Sequence, residues 1–251
     1  MAHIVLSKVS VDFPIYSGAN RSLKKAVLRV GTGGRIATDA GDRLIVQALK
    51  KIDLTIRDGD RIGLIGPNGS GKTTLLRLMA GVYEPVSGSI SVLGNVTPLF
   101  DAHLGMEIEA TGLENIYIRG LYLGMTPQQI REKTPEIAAF TELGDYLSMP
   151  VRMYSSGMML RLAFAVSTCV APEVLLMDEW IGVSDPSFLE KAEARMQEFV
   201  GKANIMVLAT HRYDLIKRVC NKVILLRQGE IADIGPPGQF DSIFATPSHP
   251  A

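Results

Sequence analysis

The apolar positions change period several times along the chain, and each change marks an element. Residues 4–13 alternate, with Val9, Val11 and Phe13 on one face and Lys8, Ser10 and Asp12 on the other, as in a half-buried strand. Residues 14–43 break the pattern: Pro14 and Gly18 mark a turn, 22–30 read as a short basic helix, and 31–42 as a flexible loop. A strand resumes over 44–56 through Leu49, Ile52, Leu54 and Ile56, and Asp58-Gly59 makes a hairpin-like turn into an apolar run at 62–65. A helix is predicted over 74–80, capped by Gly81, and a strand over 89–93. Residues 96–112 read as a loop opening with a short strand.

From 113 to 170 the period is helical, punctuated by Gly124, Pro127 and Pro150, with Thr126 as a helix cap and Pro127 in its first turn. Strands then alternate with helices: 174–179, 204–210 and 222–228 as strands and 187–200 and 212–219 as helices; Gly229-Glu230 then turns into 231–235, and 236–245 is a final short helix. The pattern is an α/β fold. It predicts one domain over 1–251, with a β-rich edge (1–60) interrupted by the 14–43 insertion, a core from 61–99 and 171–245, and a helical subdomain at 100–170.

Composition narrows the class. Apolar residues make up 47% and charged residues 21% of the 251, which is enough for a packed core. Lys+Arg and Asp+Glu both number 26, and this balance argues against a general nucleic-acid binder. No apolar run reaches a membrane span, and residues 1–10 lack a signal-peptide layout, so a cytosolic location is expected. Cys169 and Cys220 sit in apolar-periodic segments and read as buried packing residues.

Four stretches carry chemistry. Gly66-Pro67-Asn68-Gly69-Ser70-Gly71-Lys72-Thr73 fits the P-loop pattern, placed between a strand and a helix that begins at Thr74. Backbone N–H groups of such a loop wrap phosphate oxygens, the lysine reaches the terminal phosphates, and the threonine hydroxyl ligates Mg²⁺. In VLLMDEW, four apolar residues bring Asp178 to a strand end as a Mg²⁺ carboxylate, and Glu179 follows as a general base for water. In LATHRYD, His211 ends another strand, in position for the γ-phosphate or the attacking water. Ser155, Ser156 and Gly157 precede a helix beginning near Met158 and read equally as an anion site or a plain helix cap.

Together these residues resemble the ATP-binding subunits of ABC transporters, over about residues 4–245. The resemblance implies the P-loop NTPase ABC fold, with a RecA-like core, an antiparallel β-subdomain and a helical insert. It implies ATP and Mg²⁺, and a homodimer in which two chains sandwich two ATP molecules. Ser156 and Gly157 would then face the γ-phosphate held by the other copy, and Val183-Ser184-Asp185 would take the D-loop position. Phe13, or alternatively Tyr16, stands where the family stacks an aromatic on adenine; a plain core or turn aromatic is the other reading. The family's glutamine before the helical insert is missing, and Asp101, Ala102 and His103 lie nearest its place.

Residues 13–25, the 14–43 insertion, TGLENIYIRG (111–120) and YSSGM resemble the exporters of bacterial surface polysaccharide: O-antigen, capsule or teichoic acid. That resemblance implies an integral-membrane permease partner, a lipid-linked glycan as cargo, and a place on the cytoplasmic face of the inner membrane. The closing motion would pass to the permease near residues 100–122. A chain ending at Ala251 reads as a short form without a fused carbohydrate-binding domain. Arg21, Lys24, Lys25 and Arg29 form a basic face for anionic headgroups or the lipid diphosphate, or a solvated helix face. The rival readings are another ABC exporter or importer, a soluble ABC ATPase, and a small P-loop kinase.

Overall fold

The computed structural model describes residues 1–15, 36–38, 44–99, 105–179 and 186–245. The predicted basic helix, Tyr16, residues 101–103 and Val183-Ser184-Asp185 lie outside the described residues. The strands are β1 (His3–Pro14), β2 (Ile36–Thr38), β3 (Leu44–Arg57), β4 (Arg61–Ile65), β5 (Ser87–Leu93), β6 (Val96–Leu99), β7 (Val174–Asp178), β8 (Ile205–Ala209), β9 (Lys222–Arg227) and β10 (Glu230–Gly235). The helices are α1 (Lys72–Met79), α2 (Gly112–Tyr122), α3 (Pro127–Thr141), α4 (Ser156–Ser167), α5 (Pro186–Lys202), α6 (Tyr213–Val219) and α7 (Asp241–Ala245). The chain divides into two compact units, Met1–Gly94 with Val207–Ala251, and Asn95–Met206.

In the first unit, β2-β3-β1-β5 form an antiparallel sheet in that order. The inward face of β1 changes phase: Ile4 and Leu6 are buried, then Val9 and Val11. The cause is a bulge at Ser7-Lys8, because Leu6 pairs with Leu54 but Val9 pairs with Ile52. Lys8 takes φ 48° there, and its N–H donates to Asp53 Oδ1 at 2.9 Å. A second bulge at Lys51 (φ 44°) compensates on β3, with its N–H on Ser10 Oγ at 3.1 Å. Asp12, expected on the solvent side, is half-buried, and burial pushes its carboxyl above the ordinary value.

Three expectations need correction here. Ile36–Thr38, expected as loop, pair antiparallel with Leu44, Ile45 and Val46. Asp58-Gly59 does turn the chain, with Asp60 N–H on Arg57 O at 2.9 Å, but it does not close a hairpin. β4 runs parallel to β9, from Ile62 opposite Lys222 to Ile65 opposite Leu225, and β10 lies antiparallel to β9. The run at 236–245 is a 3₁₀ turn, Pro237–Phe240, followed by the short α7. Ile62, Leu64, Leu75, Leu76, Ile216 and Ile224 form the buried centre of this unit.

In the second unit, β6 runs parallel to β7. Helices α2, α3 and α4 pack around Ile116, Ile130, Ile137 and Leu162. Phe140 meets Phe188 edge-on at 5.3 Å, and the Arg161 guanidinium stands 4.7 Å over the Phe188 ring.

Residues 111–120 explain themselves in this packing. Thr111 and Glu114 make a reciprocal capping box at the start of α2, and the Thr111 N–H and hydroxyl hold the Glu114 carboxyl below the ordinary value. A Cβ on Gly112 would stand 2.2 Å from the Tyr154 hydroxyl, so any larger residue there would have to displace the Tyr154 side chain. Fully buried Asn115 accepts from Glu107 N–H at 2.7 Å and donates to the carbonyls of Glu107 (2.8 Å), Ala110 (3.2 Å) and Thr111 (2.9 Å). Buried Arg119 donates to Ser167 Oγ through Nε at 3.1 Å and Nη2 at 2.9 Å, joining α2 to the end of α4.

Cys169 and Cys220 are buried as expected, and burial pushes their thiols up to about 11 and about 12. At pH 8 the native thiolate fraction is then on the order of 10⁻³ or less, so alkylation by iodoacetamide should await unfolding. Mass spectrometry with and without urea reads this directly. Asn115→Ala leaves the Glu107 N–H without its acceptor and takes one of two donors from the carbonyls of Glu107, Ala110 and Thr111, and should cost about 1–3 kcal/mol in urea unfolding.

Candidate functional site

In the first unit, β4 ends at Ile65 and the chain turns at Gly66 with φ 145°. A Cβ on Gly66 would stand 2.2 Å from Leu226 O and 2.7 Å from Ser70 Oγ, so the loop lies against the backbone of β9. Ser70 N–H closes a turn onto Pro67 O at 3.0 Å. The loop's far side is held by Gly229, in the turn after β9. Its N–H donates to Ser70 O at 2.9 Å, and its own carbonyl accepts Lys50 N–H from β3 at 2.8 Å. Gly229 has φ 82°, and a Cβ there would meet Ala48 O at 2.7 Å.

α1 begins at Lys72, two residues before the expected start, and its cap residue Gly71 offers no side-chain acceptor. The first N–H groups of the helix therefore face the loop without a side-chain cap, and they are the donors an anion takes. Buried Lys72 donates Nζ to Gly66 O at 2.7 Å and Pro67 O at 3.2 Å, which sets its ammonium across the loop. Ser70 Oγ is buried with no hydrogen-bond partner among the described residues. Pro67, Asn68, Gly69 and Thr73 are exposed at the rim, and Thr74 is half-buried. Glycine-turned backbone, an uncapped helix start and a lysine at the mouth fit a phosphate group.

Phe13, near the end of β1, is half-buried, and its ring meets Tyr83 edge-on at 5.1 Å. The five residues of β8 are buried, and Thr210 after them is buried too, its Oγ1 accepting Arg212 N–H at 3.2 Å. His211 follows, exposed, in the link to α6.

The second unit carries the carboxylates and the serine-glycine turn. Val174 to Met177 are fully buried, and Asp178 at the end of β7 is half-buried. Glu179 is exposed and takes φ 73°, a left-handed conformation that costs a non-glycine residue about 1–3 kcal/mol and clusters at functional positions. Asp178 supplies an oxygen of the kind hard cations take, as does Thr73 in the first unit. Ser155 caps α4 by accepting Met158 N–H at 3.2 Å, and the helix starts at Ser156 rather than Met158. The cap explains Ser155 but neither exposed Ser156 nor Gly157. A Cβ on Gly157 would meet nothing nearer than Ser155 Oγ at 3.9 Å, so no described part of this chain demands glycine there.

Sequence reasoning missed Leu226, Gly229 and Ala48 as parts of the phosphate loop's support. The Gly229-Glu230 turn was visible, but its bond to Ser70 joins residues far apart in the chain and leaves no local pattern.

The sequence pattern of the family described as ABC transporter matches residues 49–182. The chain is 45% identical over 231 residues to the O-antigen export system ATP-binding protein RfbE of Yersinia enterocolitica, covering 92% of this chain and 97% of that protein. It is 37% identical over 188 residues to the teichoic acids export ATP-binding protein TagH of Listeria monocytogenes, covering 75% of this chain and 56% of that protein. Among solved structures it resembles a dimeric post-hydrolysis state of an ATP-binding cassette bound to ADP and Pi, with a TM-score of 0.66, 19% identity, and coverage of 93% of this chain and 98% of that one.

Gly229→Ala should push the β9–β10 turn off Ala48 and loosen the loop at Ser70. Nucleotide affinity should fall about 10-fold, equivalent to about 1.4 kcal/mol, read by isothermal titration with ATP.

Proposed function

The chain belongs to the ABC transporter ATP-binding family, and from that premise we propose that it hydrolyses ATP to power export of a lipid-linked surface polysaccharide. The observation that carries the cargo class is the 45% identity to an O-antigen export ATP-binding protein across nearly its whole length. The ATPase itself is supported independently by the phosphate-shaped loop at Gly66, Pro67, Asn68, Gly69, Ser70, Gly71, Lys72, Thr73 and Thr74.

In this reading the loop's N–H groups and Lys72 bind the β- and γ-phosphates of ATP. Thr73 and Asp178 hold Mg²⁺, which when bound offsets phosphate charge. Glu179 accepts a proton from the attacking water, and His211 orients that water or the γ-phosphate. Phe13 stacks on adenine; Tyr16 is the alternative. Ser156 and Gly157 serve the ATP held by a second copy of the chain, and the open space around Gly157 supports a close approach from outside.

A permease is the second partner. Leu113, Tyr117 and Leu121 recur every fourth residue on α2 and are all exposed, with Tyr122, Ile108 and Met153 also exposed in the same unit. This stripe offers a permease an apolar docking face, and the chain would sit peripherally on the cytoplasmic face of the inner membrane. Among the described residues no helix is long and apolar enough to cross a membrane.

The test is genetic and chemical. Removing the chain should abolish long surface glycan and leave lipid-linked polymer inside the cell. Complementation with Glu179→Gln should fail to restore it, with hydrolysis reduced by about 10²–10⁴ and ATP binding retained. An unchanged surface glycan would overturn the cargo assignment. Gly157→Asp should keep ATP binding in the monomer and lose hydrolysis, as measured by phosphate release.

A further inference from the structure

His211 stands in a short link between two elements that are held very differently. On one side is β8, buried throughout and continued by buried Thr210. On the other is α6, only seven residues long, whose cap residue Arg212 makes no side-chain cap bond. Leu215 and Ile216 bury one face of α6, which fixes its packing but leaves its first turn without a side-chain cap.

Tyr213, the first residue of α6, supplies a different anchor. Its hydroxyl lies on Pro237 O at 2.6 Å and on Asp241 Oδ1, so a donor and two acceptors meet at one point. One turn later, Lys217 Nζ reaches the same carboxylate, at 2.9 Å from Oδ1 and 3.0 Å from Oδ2. That ammonium also stands 4.8 Å over the Tyr213 ring. Behind the carboxylate, Phe240 is buried, so the segment bearing Asp241 is itself seated. Burial, and then the Asp241 carboxylate, push the Tyr213 phenol up to about 12, while the Tyr213 hydroxyl and then Lys217 hold Asp241 below the ordinary carboxylate value. Near neutral pH the phenol stays a donor and the carboxylate an acceptor.

We propose that Tyr213, anchored by Asp241 and the Pro237 carbonyl, is a positioning residue that fixes the backbone at His211 for ATP hydrolysis. The inference rests on the reading of His211 as a group of the hydrolytic site. Residues 237–241 thereby act on the reaction without touching the nucleotide: they set where α6 begins, and α6 sets where His211 sits. Arg212 does not substitute for the anchor, since its guanidinium pairs with neighbouring Asp214 at 3.1 Å.

The experiment compares Tyr213→Phe, Asp241→Asn and His211→Ala in the full chain. Tyr213→Phe removes the hydroxyl and keeps the ring. Asp241→Asn keeps an acceptor for the hydroxyl while removing the ion pair with Lys217. At saturating Mg-ATP, Tyr213→Phe should lower kcat about 10-fold, inside the roughly 10²-fold that misplacing a reacting group by 1 Å costs. Its ATP affinity, measured separately by titration, should stay unchanged. The His211 imidazole NMR resonances, assigned by their loss in His211→Ala, should shift in Tyr213→Phe. Asp241→Asn should lie between wild type and Tyr213→Phe in both readouts. Unchanged kcat and unmoved His211 resonances in Tyr213→Phe would overturn the inference while leaving His211's role intact. Full activity in His211→Ala would overturn that role and the inference with it. A merely structural anchor would lower the unfolding temperature and move neither readout.

Discussion

The first unit depends on one close approach between backbones, Gly66 over the carbonyl of Leu226. A Cβ at Gly66 would stand 2.2 Å from that oxygen, so the turn out of β4 can rest directly on β9 only as glycine. The rest of the phosphate loop follows from that seat. Ser70 is carried within reach of Gly229, and Gly229 in turn bonds Lys50 of β3. The loop is therefore held in shape before any phosphate arrives, and its donors need little reordering on binding. Lys72 completes it by spanning the carbonyls of Gly66 and Pro67. Preorganised donors of this kind act on developing charge without a reorganisation cost during the reaction.

The second unit is organised by buried polar groups rather than by glycine. Asn115 gathers the backbone of 107–111, and Arg119 joins α2 to Ser167 at the end of α4. The backbone of 108–112 is bonded in turn to that of 149–152, which leads into the turn at Ser155. The exposed stripe on α2 and the serine-glycine turn therefore belong to one hydrogen-bonded assembly. A partner seated on Leu113, Tyr117 and Leu121 would push on the same framework that carries Ser156 and Gly157. This gives the proposed coupling to a permease a physical route within one unit.

Much of this was legible in the sequence, and the failures are instructive. The P-loop, the carboxylates after β7 and the histidine after β8 were readable because each follows an apolar run too short to be anything but a buried strand. The boundaries of α1 and α4 were set too late, since Lys72 and Ser156 are poor markers of a start that backbone geometry determines. The bulges at Lys8 and Lys51 were invisible because the residues at positive φ are lysines, which carry no turn signal. The antiparallel strand at 36–38 looked like loop because its partner, 44–46, supplies the order. Gly229 and Tyr213 were missed for a shared reason: each acts through a bond to a residue distant in the chain.

Central to this account is that Gly66 is required by atoms of this chain, whereas no described part of it requires Gly157, which we propose serves a second copy. The most direct measurement is the ATP affinity of folded Gly66→Ala and Gly157→Ala, by isothermal titration at monomeric concentration. The account expects Gly66→Ala to lose at least about 10-fold in affinity, a step of about 1.4 kcal/mol, and Gly157→Ala to bind as wild type does. Wild-type affinity in a folded Gly66→Ala protein would contradict it.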